Sequence, residues 1–235
     1  MYLSQPSQYY DKFYASKNYQ AEVLYLCKKI FSHSQRLDMT LLDVACGTGE
    51  HARFFKQRFA VEGVDISPDM LALARRKNPD LRFFLGDMRD FELNGRYDAV
   101  TCLFSSIGYL LTLDEVKQAV GNMKRHLSEG GVILIEPWFT PQAWKEGTVH
   151  SMTIEEMDLK LARMSTSLRD GRLSTFDMHY LIGTPRGVEH YVERHQMALY
   201  TVEEMKQAFK ANGLQVDYDP AGPTGRGLYM GWAAG

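Results

Sequence analysis

Three acids stand where strands should end, and the first shares its stretch with a glycine turn. Asp43 lies in Leu41-Leu42-Asp43-Val44, a short apolar run that reads as a buried parallel strand. Ala45-Cys46-Gly47-Thr48-Gly49-Glu50-His51-Ala52 follows it. The spacing Gly47-x-Gly49-x-x-Ala52 is that of a tight turn that lets a ligand approach the backbone. Spacing alone would suit a dinucleotide. Asp43 argues against one, because a carboxylate at the strand tip repels a pyrophosphate in a low-dielectric crevice. A ligand with sulfonium and ammonium charges, S-adenosylmethionine, is attracted instead. Val61-Glu62-Gly63-Val64-Asp65 reads as the next strand, and Asp65 is placed to accept from both ribose hydroxyls. Leu85-Gly86-Asp87-Met88 closes a third strand on an acid that suits an adenine amino group. Ordinary turn acids in a ligand-free fold would explain any one of these. Three in succession are harder to explain that way.

A parallel sheet is what brings such acids to one edge. Glu50 to Phe59 reads as a helix, and Ser67 with Pro68 opens another through Met70, Leu71, Leu73 and Ala74, stopping near Asn78-Pro79. Arg82–Leu85, Tyr97–Phe104 and Val132–Ile135 are the remaining strands. Asp114 is the expected cap of a helix from Glu115 to Leu127, ended by Glu129-Gly130-Gly131. Five strands alternating with helices predict a doubly wound α/β sheet. Ahead of it, residues 7–33 read as two helices broken near Ser16-Lys17-Asn18. The first is rich in aromatics (Tyr9, Tyr10, Phe13, Tyr14), with Tyr19 just beyond. These serve either as plain packing or as crevice walls with polar tips. After Glu136 the runs 149–157, 160–169, 172–183 and 188–199, separated by turn signals, predict a small antiparallel sheet. Thr201 and Glu204 form a capping box for a helix over Val202–Ala211, and Leu214–Val216 pairs with Leu228–Met230. The expected organisation is one domain over 1–235. A helical cap spans 1–35, a core spans 36–136 and 201–235, and a β insertion over 137–200 faces the acceptor.

A net charge of −2 gives no general drive toward nucleic acid or anionic membrane, and no apolar run is long enough to span a bilayer. The amino-terminal residues lack the pattern of a secretion signal. Cys27, Cys46 and Cys102 are odd in number, far apart and without metal-ligand spacing. A reducing, cytoplasmic setting and no bound metal are expected.

Asp43-x-x-x-Gly47-x-Gly49, Val64-Asp65-x-Ser67 and Gly86-Asp87-Met88 together resemble the class I S-adenosylmethionine-dependent methyltransferases, over roughly residues 40 to 136. The resemblance implies a Rossmann-like sheet of seven strands, with the antiparallel insertion after the fifth, and S-adenosylmethionine as cofactor. Members that methylate nucleic-acid amines carry a Pro-Pro-Tyr type motif after the fourth strand. Here that place holds Phe104-Ser105-Ser106-Ile107-Gly108-Tyr109-Leu110, so a small-molecule acceptor is expected and no nucleic acid.

A narrower resemblance spans about residues 9 to 231. Phe13-Tyr14 with Lys17-x-Tyr19, Gly86-Asp87-Met88-Arg89-Asp90-Phe91, Phe104–Gly108, Glu136-Pro137-Trp138, Glu193-x-His195 and Gly222-Pro223-x-Gly225-Arg226-Gly227-Leu228 are similar to the N,N-dimethyltransferases of dTDP-linked amino sugars such as desosamine and mycaminose. It implies methylation of the amine of a nucleotide-linked sugar. It implies cofactor contacts from Tyr14, Tyr19, Asp43, Ala45, Gly47, Gly49, Asp65, Ile66, Met70, Asp87, Met88 and Phe104. On the acceptor side it implies Ser106, Trp138, His195 and Arg226. Arg226, in a glycine-flanked turn, is expected on the acceptor's pyrophosphate. Tyr109 departs from members that have His there. No membrane partner is expected, and a homodimer is one assembly that the sequence admits.

The donor is already activated, so positioning should dominate, worth on the order of 7–11 kcal/mol of barrier. An ammonium acceptor must first lose a proton. Tyr14, Tyr109 and His179 are the catalytic candidates, against the plainer readings of helix packing for Tyr14 and of a satisfied core or sheet-face histidine for His179; His195 has an exposed strand face as its plainer reading. A phenol of ordinary pKa is a poor base at neutral pH. Two other classes stay open at this point. An NAD-dependent oxidoreductase fits the glycine turn but not Asp43, and a non-catalytic S-adenosylmethionine sensor is opposed only by the acceptor-side aromatics.

Overall fold

The computed structural model describes residues 7–34 and 38–233; the ends of the expected amino-terminal cap, 1–6 and 35, lie outside the described residues, as do 36, 37, 234 and 235. A 3-10 turn at Ser7–Tyr9 leads into α1 (Tyr10–Phe13), and α2 (Tyr19–His33) follows a break. The break falls where the sequence puts it because the Asn18 side chain caps α2, accepting the Ala21 N–H at 3.0 Å.

The strands β1 (Thr40–Val44), β2 (Ala60–Asp65), β3 (Arg82–Leu85), β4 (Tyr97–Cys102) and β5 (Leu127–Ile135) are parallel, with α3 (Glu50–Phe55), α4 (Pro68–Lys77) and α5 (Leu113–Arg125) among them. Next come β6 (Val149–Glu155), β7 (Lys160–Asp170), β8 (Leu173–Thr184) and β9 (Gly187–Ala198), then α6 (Val202–Ala211), β10 (Leu214–Asp219) and β11 (Leu228–Ala233). One sheet has seven strands in the order β10-β11-β5-β4-β1-β2-β3, and a second is the antiparallel β6-β7-β8-β9. The seven-stranded α/β sheet and the insertion after its fifth strand are therefore as expected.

Helices cover both faces of the large sheet, which is why β1 is apolar on both sides. Leu42 and Val44 pack in the layer under α5 and α6, and Leu41 packs in the layer under α2, α3 and α4. All three are fully buried, and truncating Leu41 or Leu42 to Ala should cost about 2–5 kcal/mol. Gly63 is bare because a Cβ there would lie 2.7 Å from the Phe83 ring and 2.9 Å from Cys46 Sγ. The insertion alternates with period two. Leu161, Tyr180 and Ile182 face inward onto Phe13 of α1, and Met164, His179, Leu181, Val188 and Val192 are exposed.

Local boundaries differ from expectation in four places. Thr112, not Asp114, caps α5. Thr112 Oγ1 accepts the Glu115 N–H, Glu115 accepts in return, and Asp114 pairs with Lys117 instead. α3 stops at Phe55 rather than Phe59. Glu129-Gly130-Gly131 lies inside β5, where Gly130 is left-handed and the register against β4 slips, so the strand begins at Leu127. β4 stops at Cys102, because Phe104 and Ser105 turn left-handed (φ 52° and 65°) and leave the sheet. Only tertiary packing holds two such non-glycine residues side by side.

Candidate active site

The carboxyl ends of β1 to β3 and the segment after β4 open into one crevice, lined by Ala45, Asp65, Ile66, Asp87, Ser106 and Tyr109 among others. At its floor the turn after β1 is left-handed at Ala45, Gly47 and Gly49 (φ 56°, 54° and 74°). Gly47 has open space where a Cβ would stand. Asp65 holds this turn to the next helix: Oδ2 accepts the Gly47 N–H at 2.7 Å and Oδ1 the Ser67 N–H at 2.8 Å. Each oxygen keeps a lone pair. Burial raises the Asp65 carboxyl above the usual carboxylate range. Ser67 Oγ in turn accepts from Met70 N–H, which fixes the first turn of α4.

Asp43 is 2% exposed. Its Oδ1 accepts the Thr101 hydroxyl at 2.9 Å, but Oδ2 is buried without a hydrogen-bond partner among the described residues. Burial pushes its carboxyl up to about 6. Asp87 is the opposite case. Arg89 grips both of its oxygens, at 2.6 and 3.0 Å, and holds it below the usual range. Ile66, 64% exposed, is an apolar surface at the crevice that suits a flat ring. An orphaned anionic oxygen, a left-handed turn open to approach and a strand-end carboxylate with spare lone pairs fit S-adenosylmethionine.

The aromatic helix stands beside this crevice. Tyr14 packs edge-on against Phe104 (5.1 Å, 88°) and on Tyr10 (4.7 Å). Arg163 of β7 donates to the Tyr14 hydroxyl at 3.2 Å. Tyr109 Oη and His195 Nδ1 are 2.8 Å apart, and His195 Nε2 lies 3.8 Å from the Glu193 carboxylate. The His195 ring stacks on Phe176, which packs against Trp138, whose Nε1 donates to Ser174 Oγ at 2.9 Å. Ser106 Oγ bonds to the Leu103 carbonyl. Tyr19 packs edge-on to His51 at 4.9 Å.

One expected residue lies elsewhere. His179 falls on the outward face of β8, because the inward places on either side of it belong to Met178 and Tyr180. It is exposed and stacks on His190, Nδ1 to Nε2 3.1 Å, so the expectation that it reaches the reacting groups is corrected. Arg226 turns inward onto Glu136, at 3.0 Å. Glu136, wholly buried, also accepts from Phe104 N–H at 2.7 Å and from the Thr224 hydroxyl. Sequence reasoning missed Arg163, Glu193, Lys17, Glu22 and Glu136 as site groups. Glu136, Glu193 and Lys17 lay inside motifs that were noticed for other reasons. For Arg163 the one signal is its parity: a long cation on the inward side of an alternating strand. Among the described residues no group of three His, Cys, Asp or Glu is placed to hold a metal ion, and no helix is long and apolar enough to cross a membrane.

Residues 41–131 match a family model described as a methyltransferase domain. With the fold and the strand-end acids, this makes the chain an S-adenosylmethionine-dependent methyltransferase. It is 42% identical over 234 residues to the dTDP-3-amino-3,6-dideoxy-alpha-D-glucopyranose N,N-dimethyltransferase of Streptomyces fradiae, covering 98% of this chain and 91% of that one. It is 38% identical to the dTDP-3-amino-3,4,6-trideoxy-alpha-D-glucopyranose N,N-dimethyltransferase of Streptomyces venezuelae, covering 98% and 99%. The crystal structure of Streptomyces venezuelae DesVI superposes with a TM-score of 0.92 at 38% identity, covering 99% of this chain and all of that one. The chain belongs to the family of dTDP-amino-sugar N,N-dimethyltransferases. The oxidoreductase reading is thereby set aside.

Proposed function

We propose that this chain methylates the amino group of a dTDP-linked 3-amino-deoxy sugar, twice in succession. The observation that supports this is the juxtaposition of a cofactor crevice on the strand ends with an aromatic wall of Tyr14, Phe104 and Tyr109 beside it. Both relatives named above carry the amine at sugar carbon 3 in their names. S-adenosylmethionine, when bound, supplies an activated methyl on a sulfonium. The chain's residues do the rest. Asp43 offsets positive charge, Asp65 accepts from the ribose hydroxyls, and Asp87 faces the adenine amino group. Ala45, Gly47 and Gly49 give backbone access, while Ile66, Met70, Met88 and Phe104 form apolar walls and Tyr14 and Tyr19 close the cofactor's far end. Ser106, Trp138, Tyr109 and His195 face the sugar.

Each round starts from an ammonium that must shed a proton. Tyr109 and His195 form a hydrogen-bonded pair that can lead that proton away from the amine, with the Glu193 carboxylate 3.8 Å beyond the imidazole. Orientation by Tyr14 and Tyr109 carries most of the rate. For the acceptor's pyrophosphate, Arg163 is better suited than Arg226. The hydrogen-bond partners of Arg163 are the neutral Tyr14 hydroxyl and Met152 Sδ, and among the described residues its charge is felt by Glu193 without a direct ion pair. The charge of Arg226 is met by Glu136.

The insertion and the aromatic cap serve this one site, in keeping with a single domain over 1–235. The three cysteines are buried and unpaired, in keeping with a cytoplasmic setting. The outward face of the insertion supports a homodimer. Met164, Leu181, Val188 and Val192 are each about half exposed or more, and Asp177 and Arg194 neutralise each other within it. Four strands of 7 to 12 residues present a face on the order of 700 Å². A standard interface uses about 800 Å² per partner. Sedimentation should give a dimer that Leu181→Glu dissociates, and a monomeric wild type would remove this assembly.

The decisive experiment is mass spectrometry after incubation with isotopically labelled S-adenosylmethionine and a panel of acceptors. Two labelled methyls are expected on a dTDP-3-amino sugar, fewer on a 4-amino isomer and none on the 3-hydroxy analogue. Transfer to the hydroxyl analogue, or to none of the panel, would reject the proposal.

A further inference from the structure

Asp87, assigned above to the adenine amino group, stands on a stretch without regular structure. Residues 86–96 join β3 to β4 as turns and extended chain. Past Gly86, whose N–H donates to the Asp65 carbonyl, no strand pairing among the described residues fixes its course. Locally the stretch folds back on itself. Phe91 N–H donates to the Asp87 carbonyl at 2.9 Å, and a Cβ on Gly86 would lie 2.8 Å from Phe91 Cβ.

Its position against the rest of the molecule comes from one face of α5, carried on through the C-cap residue His126. Glu115, Asn122 and His126 are seven and four residues apart, so their side chains share that face. Glu115 accepts from Arg89 Nη1 at 2.7 Å. Asn122 Nδ2 donates to the Met88 carbonyl at 3.2 Å, and Arg125 donates to Asn122 Oδ1 at 2.6 Å, which turns the amide nitrogen toward the loop. His126 Nε2 accepts the Leu93 N–H at 3.1 Å, and Nδ1 donates to the Asn122 carbonyl, which the end of the helix leaves free. The packing of α5 does not call for these groups. Val116, Ala119, Val120 and Met123 already bury its apolar stripe. Asn122 is 2% exposed and His126 5%. Polar side chains taken that far from water are costly unless bonded, and here the bonds go to the loop.

What the loop presents is an acceptor. Asp87 Oδ1 takes two donors of Arg89, the main-chain N–H at 2.9 Å and Nε at 3.0 Å, and Oδ2 takes one, Nη2 at 2.6 Å. Oδ2 keeps a lone pair for a further donor. Glu115 shares the guanidinium, so the charge of Asp87 is not spent on Arg89 alone. Among the described residues none of α5 lines the crevice.

We propose that Glu115, Asn122 and His126 are positioning residues that hold Asp87 and Met88 against the purine, so that α5 sets the preference for adenine without touching it. This rests on Asp87 as the partner of the adenine amino group.

The test is calorimetric binding of S-adenosylhomocysteine and S-inosylhomocysteine, which carry an amino and an oxo group at purine carbon 6. The wild type should bind the adenosyl probe about 10- to 100-fold more tightly, the worth of a hydrogen bond to a charged group. Asp87→Asn should erase that ratio. Asn122→Ala should narrow it about two- to tenfold, the worth of one neutral hydrogen bond, by weakening the adenosyl probe. Glu115→Gln, which can still form the capping box, should narrow it less. In both α5 variants the KM for S-adenosylmethionine should rise while kcat at saturating cofactor stays put. A merely structural α5 would weaken both probes alike, so a folded Asn122→Ala that keeps the wild-type ratio would overturn the proposal. If Asn122→Ala does not fold, Glu115→Gln decides on the same terms. A wild type that does not discriminate, or an Asp87→Asn that still does, would take Asp87 away from the adenine and the proposal with it. Discrimination lost in Asp87→Asn but kept in the α5 variants would remove the proposal alone.

Discussion

The two sides of the crevice are built differently. On the cofactor side most of the fixing bonds run from a side chain to backbone within 18 residues, Asp65 to Gly47 and Ser67, Ser67 to Met70 and Asp87 to Arg89, with Asp43 to the Thr101 hydroxyl the exception. On the acceptor side, side chains meet side chains across long separations, Tyr14 with Arg163 and Tyr109 with His195. The first arrangement is fixed once the strands are in register. The second exists only after α1, the segment following β4 and the β-insertion have docked. Variants on the first side should therefore change affinity for the cofactor alone, and variants on the second should change acceptor use alone.

The largest effect should come from Asp65→Ala. Loss of hydrogen bonds to the ribose should cost S-adenosylmethionine about 1.5–3 kcal/mol of affinity. The acceptor KM at saturating cofactor should stay put. A rise in acceptor KM of comparable size would break the division between the two sides. Arg163→Ala is the mirror experiment. The acceptor KM should rise about tenfold, near 1.4 kcal/mol, with cofactor affinity by calorimetry unchanged.

The acids of the cofactor side are also separable by pH. Burial lifts Asp43 to about 6, above its value in the unfolded chain. By this group, folding is favoured most at acid pH, and the contribution is lost as pH rises through about 6. Ionised Asp43 is also the form that attracts the cofactor. Affinity should therefore climb by up to about tenfold between pH 5 and 7, while Asp43→Asn flattens that climb. The same variant should leave the cofactor-free protein as stable as the wild type at pH 8, or more so, since a buried charge is gone. An affinity that stays level in the wild type across that range would show that Asp43 is not the group involved.

What the sequence made legible follows the same division. Asp43, Gly47, Gly49 and Asp65 could be read because strand, turn and helix lie within one short stretch and their chemistry is local. Thr112 was missed as a cap although Glu115 stands three residues on, because Asp114 offered a rival cap two residues closer to the apolar positions. The β-insertion was legible from its turn signals and alternation. The inward or outward parity of a single residue was not. A one-residue difference sets His179 facing solvent and Tyr180 facing α1. Arg226 sits in a turn of the right kind, and its partner Glu136 lies 90 residues earlier. No local pattern reports such a pairing.

The smallest effect is expected at Tyr14. Tyr14→Phe removes one hydrogen bond, from Arg163, and keeps the ring against Phe104. Turnover should fall only a few-fold, corresponding to about 0.5–1.5 kcal/mol. Complete loss of turnover with both ligands still bound would mean that the phenol is an obligatory base, and that positioning is not what drives the reaction.

The claim that the two sides divide the work is tested most directly by a crystal structure with S-adenosylhomocysteine and a dTDP-3-amino sugar bound together. The account predicts the nucleoside of the first along Asp87 and Asp65. It predicts the amine of the second between Tyr14 and Tyr109, with its pyrophosphate on Arg163. A sugar nucleotide bound away from the inward face of the β-insertion, or with its amine remote from both tyrosines, would contradict it.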